Sequence, residues 1–489
     1  MTDLGLIDTI VIVLLENRSF DHVLGHLSYG EFRNGTEVDG LHDPLQRTEY
    51  KNLYGGQAYY PATTRDGMLA TDLPHERELV RTQLASSPAD GHYRMNGFVE
   101  AYYQFTTTHR TLLPEPMGFL TPSDVPITNF LANQFAVCDR WFAPLPASTQ
   151  PNKIMAYTGA TRIDRSSGVF PKVDPTLLDW LTDHHVPWRV YSSGLSFFAL
   201  LGRFDLVLGE GFRPFARLPL DVATEPDASF PKVVVVEPSF GDAPVHLGYP
   251  PNDNHPPLAI AFGEEFLRTV YSALSAGDRW ARTLLVITYD EHGGFFDHVP
   301  PLPIPYEPPA GEFPPFESTG LRVPALVVSP LVASRTVVSH PMDHTSILQL
   351  LAEKFGDAGE SYSPAVRDRR DNHGIVSVSQ ALNLDSPRVG VPRAPTVPLQ
   401  GKATLGMHAG LPSPMQQAFA NAATHLVSQY PTETKDRYPE LFHWAIQSGA
   451  SLIAPQPGSV SMITPPRPPP KPGGAAQPVG PKRRRKKHR

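Results

Sequence analysis

Thr9-Ile10-Val11-Ile12-Val13-Leu14-Leu15-Glu16-Asn17 is the stretch on which the fold turns. Its apolar run is mostly β-branched and lacks the polar alternation of a strand with one wet face. It therefore reads as a strand covered on both sides, as in a parallel sheet. The run stops on a carboxylate and an amide. Residues 232–236, 283–288 and 323–328 repeat the apolar pattern, with 186–191 a weaker fifth strand, and the run at 283–288 leads into Asp290-Glu291. Helical spacing lies between and after them: 175–184, 258–275 (Ile260, Phe262, Phe266, Val270, Leu274) and 345–355. Alternation of this kind predicts an α/β fold with a mainly parallel central sheet and helices on both faces.

The chain has 489 residues, 40% of them hydrophobic, enough for a large core. We read 1–453 as one domain with polar insertions. The principal insertion, about 30–124, is rich in Tyr, Thr and His and is placed over the active site. A second Pro-rich loop spans 300–315, and two further helical patterns lie between 413 and 453. Residues 454–489 are Pro-rich with a basic end, the composition of a disordered tail. The net charge is −7, yet 482–489 alone carries seven Lys and Arg, leaving −14 on the rest. An acidic body of this kind does not suit a nucleic-acid-binding domain. Cys138, the single cysteine, sits among Phe135, Ala136 and Val137 and reads as a small buried hydrophobe. No run is long enough to span a bilayer. The N-terminus shows no charged segment or cleavage site of a signal peptide. The expectation is a cytoplasmic chain, with export by an unrecognised route as the alternative.

In open α/β sheets ligands bind beyond the carboxyl ends of the strands. Two strands ending there in Glu16-Asn17 and Asp290-Glu291 put several carboxylates at the rim of a low-dielectric core, which is costly unless they are paired or bound to a cation. Each pair alone suits a solvated strand end or a salt bridge to Arg18. Together, with Gly293-Gly294 following one of them, they favour a hard divalent cation held by oxygen ligands. Ser148-Thr149-Gln150, between Pro146 and Pro151, sits where a helix over 154–157 would begin. That is an ordinary N-cap position, and equally an anion site with a hydroxyl that a metal would activate. Among 19 histidines, His75, His255, His298 and His344 stand in turns or shortly after strands, suited to proton transfer or phosphate contact. His344, in Asp343-His344-Thr345-Ser346, suits a helix start equally well.

Glu-Asn-Arg-Ser-Phe-Asp-His at 16–22, Thr-Gln-Pro-Asn-Lys at 149–153, His-Pro-Pro at 255–257, Tyr-Asp-Glu-His-Gly-Gly-Phe-Phe-Asp-His-Val-Pro-Pro at 289–301 and Asp-His-Thr-Ser at 343–346 occur in that order. With these motifs the chain resembles the bacterial phospholipase C and acid phosphatase phosphoesterase family over roughly residues 10–356. The resemblance implies an alkaline-phosphatase-like fold. It also implies one divalent metal held by Glu16, Asn17, Thr149, Asp290 and Glu291, with Thr149 rather than Ser148 as the attacking hydroxyl. Calcium, magnesium and manganese suit these oxygen ligands better than zinc. His75 and His255 match positions that contact the phosphoryl or leaving group and act in catalysis; Asn17 and His344 join them in binding substrate. The chain departs from the pattern of many members in lacking an export signal, and from some in having no histidine over 192–198.

The implied function is metal-dependent hydrolysis of a phosphodiester such as a phospholipid headgroup, in the manner of a phospholipase C, through a phosphothreonine intermediate. The alternative is an acid phosphatase acting on phosphomonoesters. An alternative of another class is a non-catalytic, metal-stabilised binding protein whose basic tail docks on anionic membrane or nucleic acid; a solvated end is the default for such a tail.

Overall fold

All seven residues of Thr9–Leu15 (β1) are buried, so both faces of this strand are covered. Each fully buried aliphatic side chain contributes roughly 1.5–3 kcal/mol relative to exposure, and Ile10 through Leu15 fix β1 at the centre of an eight-stranded sheet. The computed structural model describes residues 3–29, 38–42, 47–64, 69, 72–85, 92–105, 115–399 and 412–447. In chain order the remaining strands are β2 (Ala136–Cys138), β3 (Trp188–Ser192), β4 (Phe212–Pro214), β5 (Val233–Glu237), β6 (Thr283–Tyr289), β7 (Ala325–Val328) and β8 (Thr336–Val338). Across the sheet they run β8-β2-β7-β6-β1-β5-β3-β4.

The five strands expected from sequence are all present, and β6, β1, β5, β3 and β4 are mutually parallel. The run at 323–328 departs from expectation, because β7 is antiparallel to both β6 and β2. A strand buried on both faces has the same composition whichever way it points. Direction is set by the connection, and only a single 3-10 turn, Pro309–Gly311, interrupts the loop between β6 and β7. Without a crossover helix the chain returns beside the strand it left.

The helices that bear on the site are α1 (Arg77–Leu84), α2 (Phe98–Phe105), α3 (Thr149–Thr158), α4 (Leu177–Asp183), α5 (Ile260–Ser275), α6 (Thr345–Phe355) and α7 (Pro414–Gln429). In α5 the expected stripe buries Ile260, Phe266, Val270 and Leu274, while Phe262 stays half-buried. The two helices expected over 413–453 are three, because α7 is followed by α8 (Pro431–Arg437) and α9 (Pro439–Gln447). A proline opens each of them, tolerated at a first helical turn but unable to continue the helix before it. Cys138 is buried in β2. The described helices include none long and apolar enough to cross a membrane. The tail 454–489, with its basic end, lies outside the described residues.

Candidate active site

Leu15 of β1 pairs with Tyr289 of β6 in a parallel register. The two chains leave the sheet side by side, and this is what brings Glu16-Asn17 and Asp290-Glu291 together. Asn17 takes a left-handed backbone conformation, φ 58°, which asparagine tolerates better than most residues. Its amide N–H donates to Asp290 Oδ1 at 3.0 Å. Two glycines permit the close approach of the surrounding loops. A Cβ on Gly293 (φ 62°) would lie 2.0 Å from the Asn17 carbonyl oxygen, and one on Gly294 (φ 76°) 2.7 Å from that of Pro74.

Thr149 opens α3, as the expected helix start required. Asn152, three residues on, holds the preceding turn. Its Oδ1 accepts from Leu145 N at 3.0 Å and its Nδ2 donates to the Ala147 carbonyl at 2.7 Å and the Ser148 carbonyl at 3.1 Å. So fixed, Thr149 Oγ1 donates to Asn17 Oδ1 at 3.2 Å. The neighbouring hydroxyl of Ser148 accepts from Ser166 N at 3.0 Å, leaving Thr149 as the one turned to Asn17.

Burial, reinforced by Glu16 and Glu291 against the relief of Lys153, holds the Asp290 carboxyl well above the usual range. Glu291 is drawn down, because His75 and His292 outweigh its burial. Asp290 Oδ2, Glu291 Oε1 and Asn17 Nδ2 are buried with no hydrogen-bond partner among the described residues. Leaving such oxygens bare is expensive, and a divalent cation with oxygen preference would satisfy the two carboxylate oxygens; their chemistry fits that group. Glu16 is placed differently from Asp290 and Glu291. Its Oε1 meets Lys153 Nζ at 2.5 Å, both side chains being buried, and the set Glu16, Asp290, Glu291 is not among the described acid and histidine groups whose ligand atoms lie within 4.8 Å of one another. Those groups are Asp72-His75-His255, Asp39-His42-His298 and Asp21-Asp297-His298.

Thr149, His75 and His255 line one cavity of about 460 Å³, with Asp72 and Glu76 from the 30–124 segment, Asp242 beyond β5 and the first residues of α7. The imidazoles of His75 and His255 stand edge to face, centroids 6.1 Å apart. Each donates Nδ1–H to a carbonyl, Leu73 at 2.7 Å and Pro256 at 2.6 Å, so Nε2 is the nitrogen left for chemistry. Asp72 lies between the rings, 3.8 Å from His75 Nδ1 and 3.9 Å from His255 Nε2. Burial opposes charge on both histidines, but Asp72 and further carboxylates prevail. His75 is raised to about 9 with help from Glu291, and His255 to about 10 with help from Asp242 and Glu16.

His344, expected to bind substrate, stands behind the site. Its Nδ1 accepts from Trp141 Nε1 at 3.1 Å and its Nε2 donates to the Asp290 carbonyl at 2.8 Å, so both ring nitrogens are taken and it supports the acidic strand end. His298 lies elsewhere, with Nδ1 2.7 Å from Asp21 Oδ2. It belongs to a cluster around buried Arg322, whose guanidinium reaches Asp297 Oδ1 at 2.9 Å, Asp21 Oδ1 at 3.0 Å and the Asp39 carbonyl at 2.6 Å. Sequence reading gave no role to Lys153, Asp72 or Asp242. Lys153 had a signal: four residues after Thr149 on a helix it shares that residue's face. Asp72 was visible only as a carboxylate three residues before His75.

A buried hydroxyl, bare carboxylate oxygens and two histidines lining one cavity suit the hydrolysis of phosphoester bonds. The chain belongs to the Phosphoesterase family, whose model matches residues 7–356. It is 33% identical to non-specific phospholipase C1 of Arabidopsis thaliana over 72% of this chain and 67% of that protein. Non-specific phospholipase C6 of the same plant is 29% identical over 87% and 83%. Phospholipase C B of Mycobacterium tuberculosis is 30% identical over 72% and 73%. A solved protein of the alkaline phosphatase superfamily from Vibrio parahaemolyticus aligns over 64% of this chain and 82% of its own, at 12% identity and a TM-score of 0.33; the fold is argued from the sheet itself.

Proposed function

We propose that the chain cleaves phosphodiesters of the phospholipid type, releasing a phosphorylated headgroup, with Thr149 as the attacking hydroxyl. The observation that carries this reading is the placement of Thr149 Oγ1, hydrogen-bonded to Asn17, whose backbone amide in turn donates to Asp290, in the same cavity as His75 and His255. The relatives named phospholipase C support the diester. An acid phosphatase acting on monoesters is the second reading, and the intact hydroxyl, acids and histidines speak against a purely binding role.

One divalent ion held by Asp290, Glu291, Asn17 and Thr149, with Glu16 beside them, would neutralise phosphoryl charge and ease ionisation of the threonine; calcium, magnesium or manganese fit the oxygen donors. The Thr149 oxygen attacks phosphorus, and the bond to the leaving alkoxide breaks in line with it. Asn17 Nδ2 donates to a phosphoryl oxygen. His255 or His75 gives its Nε2 proton to the alkoxide, releasing an alcohol, and then takes a proton from the water that attacks the phosphothreonine. That second displacement breaks the bond between Thr149 Oγ1 and phosphorus, leaving the threonine oxygen ionised for the next cycle, and frees the phosphate ester. Turnover of p-nitrophenyl phosphorylcholine against p-nitrophenyl phosphate tests the reading. The diester is expected to be the better substrate, and preference for the monoester would replace it with the phosphatase.

A further inference from the structure

Residues Asn52–Tyr54 and Gln57–Tyr59 form an antiparallel hairpin, pairing Leu53 with Ala58 and Tyr54 with Gln57. Gly55 and Gly56, both at positive φ, make the tight turn that such hairpins prefer. The base is fixed: buried Asn52 accepts from Phe98 N at 2.8 Å and donates to the Met95 carbonyl at 3.4 Å, joining the hairpin to the start of α2. Among the described residues a Cβ added at either glycine would meet nothing within 4 Å, so the tip is open on that account.

The two faces of the hairpin differ. Tyr54 stacks on Tyr103 of α2, centroids 4.4 Å apart and planes 7° from parallel, and strand alternation turns Leu53 to the opposite face. Leu53 is 55% exposed, Tyr60 42% and Phe105, at the end of α2, 44%. Single exposed apolar side chains need no explanation. Here four of the eleven large exposed ones among the described residues come from this hairpin, from Tyr60 just after it and from the helix packed on it, and Phe105 also lines the cavity that holds Thr149. An exposed leucine flanked by tyrosines, continuous through Phe105 with the cavity where a phospholipid headgroup would be cleaved, suits the headgroup layer of a bilayer.

We propose that this hairpin, with Phe105, is the element by which the enzyme docks on a phospholipid surface, so that a lipid headgroup enters the cavity past Phe105 while its chains stay in the membrane. The proposal rests on the phospholipid reading of the cavity, and its test separates the two. Sedimentation with phosphatidylcholine vesicles measures docking without any turnover. The double variant Leu53→Ser/Tyr54→Ser is expected to bind these vesicles about tenfold more weakly, and Leu53→Trp more tightly. Hydrolysis of vesicle lipid should follow the same order, while turnover of soluble p-nitrophenyl phosphorylcholine stays within about twofold. Unchanged vesicle binding in both variants overturns the docking proposal and leaves the phosphoesterase standing. Normal vesicle binding by the wild type without cleavage of any lipid or diester overturns the phospholipid reading instead.

Discussion

Lys153 Nζ lies 2.5 Å from Glu16 Oε1, with the side chains 0% and 2% exposed. The ammonium also sits 4.0 Å from the centroid of the Phe240 ring, so this charge is held entirely inside the protein. Removing one partner of a buried pair leaves the other uncompensated and costs about 3–5 kcal/mol. Lys153→Met should lose stability on that scale in chelated protein, measured by urea denaturation, and Lys153→Arg much less. Manganese should return part of the loss, because an ion that binds only the folded state stabilises it by mass action. Equal stability of Lys153→Met and wild type would show that the pair carries no weight.

Thr149→Ala removes the only oxygen that the proposed first displacement can use. Turnover should fall roughly a thousandfold or more while the fold survives, and Thr149→Ser should keep part of it. Trapping labelled phosphothreonine in wild type after acid quench checks the same step. Near-normal turnover by Thr149→Ala would sink the covalent route.

Chelation should silence the enzyme, and calcium, magnesium or manganese should restore it better than zinc does, since the unpaired donors are oxygens. Asp290→Asn should weaken binding of the restoring ion, read by titration calorimetry. Full activity after exhaustive chelation would remove the ion from the account.

Gly294→Ala tests how the 72–75 loop is seated. At φ 76° a Cβ would meet the Pro74 carbonyl at 2.7 Å and Leu73 Cβ at 2.7 Å, pushing on the segment that carries His75. Displacements of this size far from the reacting atoms cost about a hundredfold, so kcat/KM should drop while Thr149 and the acids stay in place. An Ala variant with wild-type kinetics would mean that the loop moves without consequence.

Burial disfavours charge on His298, but Asp21, and Asp39 through its hydrogen bond, raise it to about 9 from the ordinary 6.5. A raised folded value means stability fully present below about pH 6.5 and lost as pH climbs through 9. The Tm of wild type should exceed that of His298→Asn at pH 6, and the gap should close by pH 10. A gap independent of pH would assign His298 a packing role alone.

Much of this was written in the linear pattern. The apolar runs located the strands because burial on both faces leaves no room for polar alternation, and Glu16 and Asp290 marked the rim because a carboxylate ending such a run demands a partner. The reversed direction of β7 was not legible, since apolar composition is the same in either sense and only the missing crossover helix decides it. Nor was the side on which His344 stands: its motif fits a substrate contact and a backbone support equally, and the indole of Trp141 with the Asp290 carbonyl settles it. Lys153 could not be paired from sequence, because its partner is 137 residues away along the chain and becomes its neighbour only when the fold brings α3 to the carboxyl end of β1.

The Arg322 cluster divides the two longest motifs in half. Residues 16–17 and 290–291 are joined through Asn17 to Thr149, which lines the cavity, whereas Asp21, Asp297 and His298 close on the Arg322 guanidinium. Damaging alleles within the same few residues should therefore sort into two phenotypes: a full yield of silent protein when Asn17, Asp290 or Glu291 is hit, and a low yield of active protein when Asp21, Asp297 or His298 is.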